Sequence, residues 1–453
     1  MPQISVIMPS YNVKEYVTEC LESVCRQTLE DIEILTIDAG SEDGTLEILH
    51  EYEKKDPRIK VYLSEKKSYG YQVNKGIDLA QGEYIAIVET DDIVENNMIE
   101  SLYAEAKEYD LDYVKGQFAK LIAFPEGVEW KQKLRMYPRD EDLCKKVIVP
   151  SQDTMAFIKD IYLWCGLYKK EFLVQNNIRL NETEGASYQD VGFAFQVIGC
   201  AKRAMYIPDI VYNYRQNNSC SSIFNSKGFQ YLSKEYPFVL NCCAEKGILD
   251  SKFKSAYYTR MFLQIMTRYT VMAASGVLWE NTEEDRFELR QNIKEADDND
   301  FFDEALIEKN LWLELRQYLY DEENYWQYLL SRYNAKRKCL SELFEKVKKA
   351  ESIVFYSKSI VGGFVYCILK KAGIDKPVCF CDNDVRKQGT TYMQAPVMSV
   401  KEAVWRNPNA VYIIANRKFD QSMREQLIQL GIAKSQIYVW MLDIDILLLH
   451  MAE

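Results

Sequence analysis

The chain has 453 residues, too many for one hydrophobic core, so two or three domains are expected. A formal net charge of −12 excludes nucleic acid as a partner and a broadly basic membrane-binding surface, while 47% hydrophobic residues are ample for well-packed cores. Twelve scattered cysteines without a Cys-x-x-Cys pair, and two histidines, argue against zinc and for reduced thiols in a cytoplasm; no signal peptide or run of membrane-helix length is read.

Ile4-Ser-Val-Ile-Met8 reads as a buried strand, followed by the turn Pro9-Ser10-Tyr11-Asn12 and a helix with apolar residues at Val13, Tyr16, Val17, Cys20, Leu21 and Val24. A second strand, Ile32–Ile37, runs into Asp38-Ala-Gly40-Ser41, and a helix follows from about Thr45 to Lys54. Lys60–Leu63 is a short third strand. Beyond Gly82, the apolar run Tyr84–Val88 stops at three carboxylates, Glu89, Asp91 and Asp92. The β-α-β-α-β alternation predicts a parallel sheet with helices on its faces, so these polar strand ends converge on one rim. A cluster of acidic groups there suits a hard divalent cation that shares its shell with phosphates. Taken alone, the same turn reads equally as a solvated, helix-capping one.

Downstream, Trp164 reads as a core residue, with stacking on an acceptor sugar as the rival reading. Asp190 opens a helix with apolar residues at Val191, Phe195 and Ile198, a position where capping alone accounts for an acid. Tyr212-Asn-Tyr-Arg215 ends in an arginine suited to a phosphate, or equally to a surface carboxylate. Residues 226–345 carry helical patterns such as Phe287, Leu289, Ile293 and Leu311, Leu315, Tyr318, Leu319; the acidic stretch Glu295–Asp300 between them is expected as a loop. The aromatics Tyr325, Trp326 and Tyr328 are taken as helix-packing residues, and this region is assigned no chemistry. From 346 the chain is α/β again, with strands at Ser352–Tyr356, Val378–Cys381, Ala410–Ile414 and Ile437–Trp440. Serines occupy the first two glycine positions of a dinucleotide loop, in Ser357-Lys-Ser359-Ile-Val-Gly362, which argues against NAD-type binding and for a structural module, although Asp382 stands where a ribose contact would. The tail Ile444–Leu449 is read as a docked end.

The chain resembles the family 2 glycosyltransferases with the GT-A fold. The resemblance rests on Ile4–Asn12, Ser23, Gln27-Thr28, Ile37-Asp38-Ala-Gly-Ser-Glu-Asp-Gly-Thr45, Gly70-Tyr-Gln-Val-Asn74-Lys-Gly76, Gly82–Ile85 and Glu89-Thr-Asp-Asp92, and then on Tyr188-Gln-Asp190-Val-Gly-Phe193 and Tyr212–Arg215. It implies a GT-A domain, a Rossmann-like mixed sheet, over residues 1–225. A helical connector at 226–345 and a small Rossmann-like α/β domain at 346–453, of the kind attached to some polysaccharide-synthesis enzymes, complete the expected architecture. It further implies a nucleotide-sugar site in which Asp38 reads the base beside Pro9, Tyr11 and Asn12, Asn74 lines the nucleotide pocket, and Asp91 and Asp92 hold Mn or Mg against the diphosphate. Glu89 departs from the family's usual Asp and is expected to make a ribose or water-mediated metal contact. Arg215 is expected to reach a phosphate, and Asp190 to be the general base, with Gln189 standing where many relatives carry Glu.

The implied reaction is metal-dependent, inverting transfer of a sugar from a nucleotide sugar to a glycan or lipid-linked acceptor in bacterial surface polysaccharide synthesis, in the cytoplasm and peripherally at the inner face of the membrane. Leaving-group charge calls for a Lewis acid and the acceptor hydroxyl for a base. Neither His50 nor His450 lies near a motif, which leaves a carboxylate as the base. Three rival readings remain: a different nucleotidyl-substrate transferase on the same sheet, a scaffold that binds nucleotide sugar without turnover, and a sugar oxidoreductase centred on the C-terminal module. Oligomeric state has no signature in the sequence.

Overall fold

β1 (Ile4–Ser10) is buried along its whole length, as a strand paired on both edges and covered on both faces must be. The computed structural model describes residues 2–135, 137–138, 143–218, 221–278 and 280–451. The chain divides into two compact units: Met1–Lys120, Lys133–Tyr269 and Trp279–Tyr325 form the first, and Leu121–Gln132, Thr270–Leu278 and Trp326–Glu453 the second. Residues 226–345, expected as a connector, are shared between the two.

The first unit follows the predicted alternation: α1 (Lys14–Cys25), β2 (Ile32–Asp38), α2 (Thr45–Lys55), β3 (Ile59–Leu63), α3 (Tyr69–Leu79) and β4 (Tyr84–Ile87). Strands β3, β2, β1 and β4 are adjacent in that order and parallel, with Ser10 opposite Asp38 and Ile7 opposite Ile87. After β5 (Ile93–Val94) and α4 (Met98–Glu108), the chain adds β6 (Tyr113–Ala123), β7 (Glu129–Leu134), α5 (Thr154–Lys159), β8 (Gly166–Lys169), α6 (Lys170–Gln175), α7 (Gln189–Cys200) and β9 (Ala204–Arg215). β8 pairs antiparallel with β4 and β6, and β9 antiparallel with β5, which makes a nine-stranded mixed sheet. This is the mixed sheet expected for residues 1–225.

Two motifs explain themselves as joints. Ser23 Oγ accepts from Val94 N, while Gln27 donates to the Glu95 carbonyl and accepts from Ile99 N, so α1 is stitched to the segment leaving the acidic turn. A Cβ on Gly82 would lie 2.5 Å from Ser5 N, so only glycine lets the chain enter β4 against β1. Trp164 is core: it is 4% exposed and stacks on Tyr212 and Tyr214 at 4.3 and 5.3 Å between ring centroids.

α8 (Gly228–Glu245), α9 (Ser251–Ser275), α10 (Glu283–Asp298), α11 (Lys309–Tyr320) and α12 (Glu322–Lys349) follow. The acidic stretch expected as a loop from Glu295 is instead the last turn of α10 as far as Asp298, because Ala296 continues the buried Leu289–Ile293 stripe. Phe287 lies off that stripe and is 61% exposed.

In the second unit, β10 (Ile353–Tyr356), α13 (Ile360–Lys371), β11 (Val378–Cys381), β12 (Thr391–Tyr392), β13 (Ala395–Met398), α14 (Val400–Arg406), β14 (Val411–Ile414), α15 (Asp420–Gln429) and β15 (Ile437–Val439) build a smaller sheet ordered β12-β13-β11-β10-β14-β15. Its parallel strands therefore follow the doubly wound 3-2-1-4-5 order. The turn after β10 is filled by its own side chains. Ser359 Oγ caps Gly362 N, and Asp382 accepts from the Lys358 and Asp384 N–H groups and from Lys387 Nζ. α16 (Ile446–Met451) buries Leu447, Leu448 and Leu449, so the tail is docked as expected. Among the described residues, no helix is long and apolar enough to cross a membrane.

Candidate active site

The carboxyl ends of β1, β2 and β4 form the rim on which the acidic groups stand. At the β2 end, Asp38 is fully buried and turned into its own loop. Its Oδ1 accepts from Gly40 N and Ser41 N at 2.9 and 2.7 Å, and its Oδ2 from Ser41 Oγ at 2.7 Å. At the β1 end, Asn12 has φ of 51°, donates its N–H to Ser41 Oγ and accepts from Glu42 N, which ties the two loops together. Pro9 is buried and its carbonyl accepts from Thr90 Oγ1 at 2.9 Å. Tyr11 projects outward, 43% exposed, with Lys67 Nζ donating to its hydroxyl at 3.0 Å. Of these four residues, Tyr11 and Asn12 are exposed, Asn12 tied into the loops by its hydrogen bonds, whereas Asp38 and Pro9 are buried.

The three carboxylates after β4 come together: one oxygen each from Glu89, Asp91 and Asp92 lies within 4.8 Å of the others. Asp92 is fully buried and its two oxygens accept from Tyr212 Oη at 2.9 Å and Arg215 N at 2.7 Å. Asp91 Oδ2 accepts from Asn218 Nδ2 at 2.7 Å. Glu89, whose extra methylene is the departure from the family pattern, is met by Tyr69, whose hydroxyl donates to Oε1 at 3.2 Å. Burial, and then the neighbouring Asp91, push the Glu89 and Asp92 carboxyls well above the usual range. Acids packed this closely repel one another, and a divalent cation with oxygen ligands is the species such a donor set fits. Asp91 and Asp92, the pair expected from the sequence, would hold it together with Glu89.

Arg215 does not stand free for a phosphate, as the sequence suggested. Its side chain is 4% exposed, Nε donates to the Asp91 carbonyl at 2.7 Å, and the guanidinium pairs with Glu19 at 2.5 Å. It clamps the acidic turn from behind. The Asn74 amide exchanges hydrogen bonds with both backbone groups of Leu180 and reaches Glu182, so it tethers the segment leading to α7. That segment is also paired to residues 67–69 through Gly185, and Gln189 holds it from within by donating to Thr183 and Gly185 and accepting from Ser187 N. A glutamate at 189 has no donor for these bonds when ionised, which accounts for the amide.

This strap delivers Asp190 to the site. Tyr188 caps α7 with φ of 70°, and Asp190 lies in the first turn, half-buried. Burial pushes its carboxyl up to about 6, opposed chiefly by Arg260 and by backbone N–H groups of the helix start. The charge of Asp190 in turn raises Glu89 and Tyr69, so the acid faces the carboxylate cluster. From α8, Glu235 accepts from Gly192 N and Asn181 Nδ2, which locks the start of α7 to the strap. Thr90, Tyr69, Asn218 and Glu235 escaped the sequence reading. Tyr69 and Thr90 lie within or beside quoted motifs, whereas Asn218 and Glu235 have no local signal.

A family profile described as Glycosyl transferase family 2 matches residues 5–164. Glycosyltransferase GlyG of Streptococcus pneumoniae serotype 4 (strain ATCC BAA-334 / TIGR4) is 32% identical over 227 residues, 48% of this chain and 71% of that protein. The chain belongs to the family 2 glycosyltransferases. EpsJ of Bacillus subtilis (strain 168), described as an uncharacterized glycosyltransferase, is 32% identical over 243 residues, 52% of this chain and 68% of its own length. Among solved structures, that of S. aureus TarS 1–349 in complex with UDP-GlcNAc superposes with a TM-score of 0.54 at 18% identity, covering 74% of this chain and 92% of that one. The two chains therefore share a fold at low sequence identity.

Proposed function

We propose that the chain transfers a sugar from a nucleotide sugar to a hydroxyl acceptor with inversion at the anomeric carbon. The observation that carries this reading is the cluster of Glu89, Asp91 and Asp92 beyond the end of β4, with Asp190 near enough for its charge to raise Glu89. The complex of the structural neighbour with UDP-GlcNAc supports a nucleotide sugar as donor. Glu89, Asp91 and Asp92 would hold Mn or Mg, which would supply Lewis-acid stabilisation of the departing diphosphate. Asp91 is oriented for this by Asn218 and Arg215, and Glu89 by Tyr69. Tyr11, exposed beside Asn12 at the end of β1, offers a face on which the base stacks. Asp190 accepts the proton of the acceptor hydroxyl, and one base suffices for a single displacement. A glycan or lipid-linked acceptor, in synthesis of a bacterial surface polysaccharide at the cytoplasmic face of the membrane, is the setting that fits the bacterial relatives.

A thermal-shift panel of nucleoside diphosphates and nucleotide sugars, each with and without Mn, tests the reading. A ligand at about a hundredfold its Kd adds roughly 2.7 kcal/mol, so a metal-dependent rise for one base class is expected, absent in Asp91→Ala. No shift with any donor, or a shift unchanged in Asp91→Ala, overturns it.

A further inference from the structure

Trp164 is too deeply buried to take a sugar, but two of the rings it holds are not. It lies against Tyr214 at 5.3 Å and Tyr162 at 5.1 Å between ring centroids. Phe118, itself 2% exposed, meets Tyr162 at 4.9 Å and Tyr214 at 6.4 Å, edge-on in both cases. Tyr162 and Tyr214 are thus wedged against the same two buried rings, while each remains only half-buried. Buried tyrosines nearby spend their hydroxyls inside the protein: Tyr84 donates to the Ala106 carbonyl, Tyr206 to Asp160 and Tyr212 to Asp92. Among the described residues, the hydroxyls of Tyr162 and Tyr214 have no hydrogen-bond partner. Phenylalanine would serve the packing as well, so these two hydroxyls are left for something outside the fold.

Their place gives that something a chemistry. Tyr214 lies between Tyr212, whose hydroxyl donates to Asp92, and Arg215, whose backbone N–H donates to the same carboxylate. The turn Leu163–Cys165, which Tyr162 leads into, packs against β4, β9 and α7, the helix that carries Asp190. We propose that Tyr162 and Tyr214 form the subsite that receives the sugar ring of the acceptor, its C–H face laid on the two rings and its hydroxyls met by theirs. The inference rests on the reading of this site as a sugar-transfer centre. A pyranose has a face of polarised C–H bonds, which suits the negative face of an aromatic ring, and a rim of hydroxyls, which suits phenolic groups that both donate and accept. Rings already fixed by Phe118 and Trp164 lose little freedom when a sugar arrives. With the diphosphate at the carboxylate cluster, a ring beside that cluster and next to α7 is placed to offer its hydroxyl to Asp190.

Saturation-transfer NMR on the full chain, with the methyl glycosides of glucose, galactose, mannose and N-acetylglucosamine as probes, reads weak sugar binding without turnover. At least one glycoside should be saturated, most strongly on the C–H protons of one ring face. Tyr162→Leu and Tyr214→Leu should each weaken binding about tenfold, whereas Tyr162→Phe and Tyr214→Phe, which keep the rings, should weaken it less. No saturation of any glycoside, or equal saturation in the wild-type protein and both leucine variants, overturns the inference. Tyr162→Met and Tyr214→Met give the same reading if a leucine variant loses its thermal transition. Displacement of the glycoside by UDP-glucose, UDP-galactose, UDP-GlcNAc or GDP-mannose with Mn, where UDP or GDP with Mn leaves it bound, assigns the rings to the donor's sugar and also overturns it. The underlying reading fails separately. Absence of any metal-dependent nucleotide shift sinks sugar transfer even beside tyrosine-dependent glycoside binding, whereas a normal nucleotide shift beside glycoside binding indifferent to both tyrosines sinks only this subsite.

Discussion

Asp190 works at the edge of its own chemistry. Burial raises it to about 6, close enough to neutral pH to accept a proton and low enough to be mostly ionised there. In the proposed reaction the acting form is the carboxylate, so turnover should fall as pH drops through about 6, and Asp190→Asn should lose about a hundredfold to ten-thousandfold, measured as donor consumption against pH. A profile flat down to about pH 5 in the wild-type protein would contradict this. At this scale the sequence reveals identity better than duty. The carboxylates after β4 and Asp190 each admitted a plain helix-capping reading, and it was the family resemblance that singled them out. Asp38, Asn74 and Arg215 sat in equally legible motifs, yet their hydrogen bonds are made to the protein itself. A motif records which side chain is required, and only geometry tells whether it faces a ligand or braces the residue that does.

Elements, rather than residues, decide how the base is held. The start of α7 is fixed by the strap through Gln189 and by α8 through Glu235, whose carboxyl burial pushes up to about 8. The folded-state value lies above the unfolded carboxyl value of about 4.3, so folding favours the protonated acid. The stabilisation is therefore full below about pH 4 and is lost as pH rises through about 8. Glu235→Gln, which stays neutral, should gain on the wild-type protein by on the order of 1–3 kcal/mol between about pH 5.5 and 8.5 in chemical denaturation. A difference that does not change with pH would refute it. Such cross-element ties were invisible beforehand because they join positions more than forty residues apart with no shared periodicity. Strands β1 to β4, β10, β11, β14 and β15 were legible, since short apolar runs recur in both units, whereas β5 to β8, β12 and β13 were not read. The one misjudged element, the end of α10, shows a charged run kept helical by a single buried alanine.

On the scale of the whole molecule, the family match ends at residue 164 while the structure around Asp190 does not. α7 is buried by α8 and α9, with Phe193 and Phe195 wholly inaccessible. A fragment ending at residue 225, the boundary the sequence suggested, would strip Phe253 and Tyr257 from Phe195. It should melt well below the full chain and bind a hydrophobic dye, by calorimetry and fluorescence; an equal transition temperature would show that the helices are dispensable.

The second unit draws residues 121–132 from the loop end of β6 and β7, where Trp130 donates to the Ile360 carbonyl and rests on Phe364, partners 230 residues later in the chain. Ribosomal synthesis at about 5–20 residues per second would leave that tryptophan, with Ile122 and Val128, waiting on the order of 10–50 s for the sheet that buries it. The nascent hairpin is therefore a natural client for a chaperone, and slowing translation between these two segments should lower the yield of folded protein more than slowing it anywhere after residue 400.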